Sequence, residues 1–269
     1  MSAQSPLADK GSHAGAEREV IAWRRPSVLG PPGADEVHLW RLDLAAADTV
    51  SLAQTLDEGE RARAERLIVP QARARFVAAR GMLRATLASY TGESPATLRF
   101  RYGHAGKPYL DGPIDHGLSF NLAHSHDLAL LAVAAGARVG VDLELVTGAD
   151  GAVIADWLFA SAERLALDAL PPEQRRTAFY RCWACKEAFV KARGEGLGPG
   201  LEGFVVSVTP GAPAALLHVD GDQEEAGRWR LASLFPADGF VAALCVEGRA
   251  DVPLWVSYLQ AEMNQDMPA

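Results

Sequence analysis

Between Val139 and Leu145 apolar and non-apolar residues alternate without a break, the period-two signature of a strand with two unlike faces. Val139, Val141, Leu143 and Leu145 take one face; Gly140, Asp142 and Glu144 take the other. Same-face neighbours in a strand lie about 6–7 Å apart, so the two carboxylates are adjacent. That spacing suits magnesium, which takes one or two protein carboxylates and completes its octahedron with waters and phosphate oxygens. An edge strand with a solvated acidic face would carry the same pattern.

The stretch Arg176–Arg193 reads as a helix, free of proline and stopped by Gly194. At about 100° per residue, Phe179, Cys182, Trp183, Phe189 and Val190 form an apolar stripe with Lys186 in its middle, a costly place for a charge. Glu187 and Lys191, four apart, share one edge of it. A snorkelling Lys186 and a surface Glu187–Lys191 pair are the plain alternatives. Lysine usage weighs against them: Lys10, Lys107, Lys186 and Lys191 are the only lysines among 26 basic residues. An ammonium approaches phosphate as a point charge where a guanidinium does not. Three acids with lysines beside them are what handling a diphosphate around a hard cation requires.

Composition narrows the class. A net charge of −8 without a basic block opposes nucleic-acid binding. The longest apolar run, Leu128–Ala135, is eight residues, short of a membrane span, and no secretion signal opens the chain. Three cysteines suit a reducing compartment, and the cytoplasm is the expected location. Cys182 and Cys185 form a C-x-x-C inside the helix, with no second pair to complete a zinc site.

Residues 1–34 read as a mobile leader, 35–137 as an N-terminal α+β lobe, 138–250 as a C-terminal α+β lobe and 251–269 as a tail, taken as a surface or frayed helix. The first lobe begins with a strand at Val37–Leu44. A helical region follows from Asp57 to about Thr91, broken near Pro70, with seven arginines between Arg61 and Arg84. Leu118–Leu122, Leu128–Ala134 and Val139–Leu145 then read as an antiparallel meander. The second lobe repeats helix, loop, strand and hairpin, with helical stretches at Ser161–Leu170 and Glu173–Arg193 and a turn at Pro236-Ala237-Asp238-Gly239. Two α+β halves facing each other leave a cleft for a ligand.

The glycine-rich stretches around Gly103 and Gly194 lack P-loop or dinucleotide-binding spacing, and no serine-hydrolase set stands out. Arg63 and Arg75 are the arginines of that helical region assigned to phosphates. His124 is expected at the tip of a hairpin beside the acidic strand.

Four blocks occur in order: Gly106-Lys107-Pro108-Tyr109, Phe120-Asn121-x-x-His124-Ser125, Gly140-Val141-Asp142-x-Glu144 and Trp183-x-x-Lys186-Glu187-Ala188-x-x-Lys191. In this the chain resembles the two-lobed, surfactin-synthetase-activating type of 4'-phosphopantetheinyl transferase, from about Leu56 to Leu201. The resemblance implies two pseudo-two-fold-related lobes, each a helix packed on a small, mainly antiparallel sheet, with coenzyme A and magnesium in the cleft between them. It implies transfer of phosphopantetheine from coenzyme A to a serine of an apo acyl or peptidyl carrier protein, releasing 3',5'-ADP.

By motif, Asp142, Glu144 and Glu187 would hold magnesium, with manganese as a substitute. Glu187 would be the base and Lys191 would neutralise the leaving phosphate. Arg63, Arg75, Lys107, Pro108, Ala123, His124, Lys186 and Lys191 would line the coenzyme. Ala123 departs from the serine of many relatives, which removes one hydroxyl contact. A monomer is expected by analogy with the family. A metal-dependent hydrolase of coenzyme A or another nucleotide diphosphate, and a non-catalytic coenzyme- or carrier-binding relative, are the competing classes.

Overall fold

The computed structural model describes residues 21–26, 30–112, 117–148, 155, 158–194, 196, 200–222, 224–248 and 255–261. The first lobe opens with β1 (Glu36–Asp43), followed by α1 (Thr49–Ala53), α2 (Glu58–Arg66) and α3 (Pro70–Thr91). A small hairpin, β2 (Arg99–Tyr102) and β3 (Pro108–Asp111), leads to β4 (Leu118–Ser125) and β5 (Leu128–Ala135). The second lobe holds β6 (Val139–Leu145), α4 (Ser161–Asp168), α5 (Pro172–Arg193), β7 (Phe204–Val206), β8 (Leu216–Val219), β9 (Trp229–Leu234) and β10 (Phe240–Glu247). The last strand, β11 (Trp255–Gln260), returns to the first lobe.

The two long helices are built alike. Both α3 and α5 run for 22 residues, begin with proline and end at a left-handed glycine, Gly92 (φ 74°) or Gly194 (φ 72°). Proline pre-sets the first helical φ and lacks the N–H that would go unpaired there. Glycine adopts the left-handed cap without a Cβ clash. Arg84, fully buried in α3, is neutralised by Glu60 Oε2 at 2.6 Å and Asp57 Oδ2 at 2.7 Å, which ties α2 to α3.

Each helix covers one face of its sheet. Under α3 lies the order β11-β1-β5-β4; under α5 lies β6-β10-β9. Alternation decides the layering. Trp40 and Leu42 of β1 pack with Leu83 and Leu87 of α3, while Val37 and Leu39 join Val139, Val141, Leu143, Ala242 and Leu244 in a core between the two sheets. The molecule is therefore helix, sheet, sheet, helix, and the expected α+β lobes are present.

Three expectations are corrected. The meander stops after one hairpin: β4 pairs with β5, but β6 leaves for β10. The turn at Gly136 hands the chain to the other sheet, where β6 pairs along the side of β10 opposite to β9. The described part of the tail, residues 255–261, forms a strand where a helix was expected: β11 pairs in parallel with β1, burying Val256 and Leu259. Its β-branched and aromatic residues suit a strand, and it covers an otherwise open edge. Part of the leader is also held: Arg24 bridges to Leu259, and the Trp23 ring meets Tyr258 edge-on at 5.6 Å. Residues 1–20 lie outside the described residues.

Candidate active site between the acidic strand and the second long helix

The acidic face of β6 is buried under α5. A Cβ on Gly140 would stand 2.1 Å from the Ala188 carbonyl oxygen and 2.3 Å from the Ala192 nitrogen. Only glycine lets the helix backbone come that close. Asp142 and Glu144, on the same face, are thereby carried towards Glu187 and Lys191.

Asp142 is 4 % exposed, and the Lys191 ammonium donates to its Oδ1. The helix pair expected at Glu187–Lys191 is thus redirected across to the strand. Trp183 Nε1 donates to Glu144 Oε1 at 3.0 Å. Burial raises the Glu144 pKa above the ordinary carboxylate value, and the Asp142 charge raises it further. Burial likewise raises Glu187, with Lys191 opposing and Asp142 adding to the shift. All four groups act on one another electrostatically.

Among the described residues no three His, Cys, Asp or Glu side chains are grouped so as to hold a metal ion by themselves. Magnesium does not need such a group, since waters and phosphate oxygens supply most of its ligands. Asp142 Oδ2 is buried without a hydrogen-bond partner among the described residues, a costly state for a carboxylate oxygen. Burial and mutual repulsion hold the Glu144 and Glu187 carboxyls high. An oxygen set of this kind fits a hard divalent cation.

His124 lies within β4 rather than at the hairpin tip; the turn itself is His126-Asp127, with His126 at φ 54°. His124 is exposed at its surface, yet partial desolvation lowers its pKa, and the charges of Lys191 and then Arg75 lower it further. It therefore lies in the field of a cation on each long helix. Arg75 Nε donates to Asp127 at 2.7 Å. Arg63 is exposed on α2, its guanidinium over the Phe76 ring at 5.3 Å.

Two lysines expected at phosphates are held by protein oxygens in this structure. Lys107 Nζ donates to the carbonyls of Val139 at 2.8 Å, Lys191 at 2.7 Å and Ala192 at 3.2 Å. It closes the C-terminus of α5, where a cation is favoured, although burial pulls its pKa down to about 8. Its neighbours serve the same joint: Pro108 starts β3, and a Cβ on Gly194 would meet Tyr109 Oη at 2.8 Å. Lys186 is 0 % exposed and donates to Glu163 Oε1 at 2.7 Å and to the Phe204 carbonyl at 2.6 Å. Lys107 thus holds three protein oxygens, and Lys186 two of the three that an ammonium can take.

Ala123 is buried in the core between the sheets, so its methyl group packs rather than lining an open surface. Glu163 was not anticipated: it accepts from Lys186, Val206 N and Ala160 N, and its distance along the chain hides it from any periodicity. Trp183 belongs to the fourth block, but its bond to Glu144 had no signal beyond membership.

A family model described as the 4'-phosphopantetheinyl transferase superfamily matches residues 138–245, the span from β6 to β10. The 4'-phosphopantetheinyl transferase HetI of Nostoc sp. is 42% identical over 219 residues, covering 80% of this chain and 89% of its own length. A phosphopantetheinyl transferase of Thraustochytrium sp. is 29% identical over 76% of each chain. The crystal structure of Thermotoga maritima holo-[acyl-carrier-protein] synthase covers 42% of this chain and 63% of its own at 24% identity and a TM-score of 0.33, too slight a likeness to carry weight. The extent and identity of the Nostoc match, over a strand and helix that hold the four charged groups just described, make this chain a member of the 4'-phosphopantetheinyl transferase family.

Proposed function

We propose that this transferase moves the 4'-phosphopantetheine group of coenzyme A to a serine of an apo acyl or peptidyl carrier protein, in the presence of magnesium. The observation that carries the reading is the meeting of Asp142, Glu144, Glu187 and Lys191 where α5 crosses β6. In the reaction the serine oxygen bonds to the phosphorus of the pantetheine phosphate, and the bond from that phosphorus to the bridging oxygen breaks, releasing 3',5'-ADP. Glu187, with its pKa raised by burial, is suited to take the serine proton. Lys191, by leaving Asp142 for the departing phosphate, neutralises the charge formed there. Asp142, Glu144 and Glu187 would hold magnesium, which when bound withdraws charge from phosphate oxygens.

Arg75, His124 and Arg63 are the groups we assign to the coenzyme's phosphates. Lys107 and Pro108 act by holding the end of α5. Among the described residues no helix is long and apolar enough to cross a membrane. A reducing cytoplasm suits Cys182, Cys185 and Cys245, all buried as free thiols, and a monomer suits two lobes that complete each other's core.

The test is to incubate the protein with coenzyme A, magnesium and an apo carrier protein and to weigh the carrier. A gain of one phosphopantetheine group supports transfer. Consumption of coenzyme A with the carrier unchanged selects hydrolysis, and binding without product selects a non-catalytic relative.

A further inference from the structure

The seam between the lobes is closed by side chains rather than by a backbone ladder. β4 ends one sheet and β6 ends the other, so each presents an edge. Asn121 Oδ1 accepts from Val141 N at 2.8 Å, and Ser125 Oγ accepts from Leu145 N at 3.1 Å. The equal offset of the two pairs means that the strands run in the same direction. The bonds stand four residues apart, about 13 Å along the strand. Two bonds at that separation fix both sliding and angle, where one would leave a pivot. The position between them is Ala123, which offers no acceptor.

The residues beside these bonds are those of the site. Val141 precedes Asp142, Leu145 follows Glu144, and Ser125 follows His124. Edge N–H groups of β6 that would otherwise be unpaired are therefore held by the strand that bears the histidine.

We propose that Asn121 and Ser125 are positioning residues for the transfer, locking the acidic strand of one lobe in register against the histidine-bearing strand of the other. The proposal rests on the reading of the site given above. Neither residue has to touch coenzyme or carrier; both act through where His124 stands relative to Asp142 and Glu144. Misplacement of reacting groups by about 1 Å can cost on the order of a hundredfold in rate, so a loosened seam is felt in turnover first.

The test uses the full chain with Asn121→Ala, Ser125→Ala and Ser125→Thr. It measures steady-state transfer, thermal unfolding, and hydrogen exchange of the Val141 and Leu145 amides without metal. Ser125→Ala should speed exchange at Leu145 at least about tenfold and lower kcat about tenfold, with KM for the carrier within about twofold. Ser125→Thr keeps the oxygen and should restore both. Asn121→Ala should act likewise at Val141; should it fail to fold, the half-buried Ser125 pair decides. Wild-type exchange or wild-type kcat in Ser125→Ala would overturn the proposal. So would a rate loss matched by the unfolded fraction, or a threonine variant no better than alanine. A wild-type chain that modifies no carrier refutes the functional reading instead, and the exchange data still judge the seam.

Discussion

Asp142 and Glu187 do different work at one site, and their variants separate it. Asp142→Ala removes the buried oxygen that lacks a partner, and Glu187→Gln removes the proposed base. Each should lower carrier modification at least about a hundredfold; near-wild-type turnover of both, with magnesium present, would exclude this site. Stability should move the other way for Glu187. Its carboxyl pKa is raised from 4.5 by burial, so the folded chain binds that proton more tightly than the unfolded one. The contribution to stability therefore falls as pH rises from about 4.5 through the raised value. Glu187→Gln should melt higher than wild type in metal-free buffer at neutral pH, with the gap closing towards pH 4.5. A lower melting temperature at neutral pH would contradict the assignment.

At the scale of elements, the approach of α5 to β6 depends on Gly140. A methyl group there meets helix backbone at 2.1 Å, which a side-chain rotation cannot relieve. Gly140→Ala should destabilise the chain by about 1–3 kcal/mol, the range for overpacking, and should lower turnover by moving Asp142 away from Lys191. Denaturant unfolding and the carrier assay check both. Lys186 and Glu163, each fully buried, tie α5 to α4 and β7. Lys186→Met should cost about 3–5 kcal/mol, as when one partner of a buried ion pair is lost. A raised KM for coenzyme A with unchanged stability would instead return Lys186 to the phosphate set.

At the scale of the whole molecule, β11 closes the first lobe. Removing residues 249–269 would expose the β1 edge and the sites of Val256 and Leu259. Each buried side chain of that kind is worth about 1.5–3 kcal/mol, and an open edge invites pairing between copies. The truncated chain should melt lower and self-associate in size-exclusion chromatography; a monomer of unchanged melting temperature would show that β11 adds nothing. The long helices, the two faces of Val139–Leu145 and the order of the four blocks were legible because each is a short-range matter. Proline and glycine punctuate α3 and α5, period two sorts β6, and four-residue spacing puts Glu187 near Lys191. What faces what was not legible. The motif match assigned Lys186 and Lys107 to phosphates, and spacing could not show their partners in the fold, Glu163 and the end of α5, which come from remote parts of the chain. The turn after β5 and the parallel pairing of β11 also depended on which sheet had an edge free. Local sterics and side-chain period thus reside in the chain itself, whereas the closing of a charge, an edge or a buried oxygen is settled only when distant segments meet.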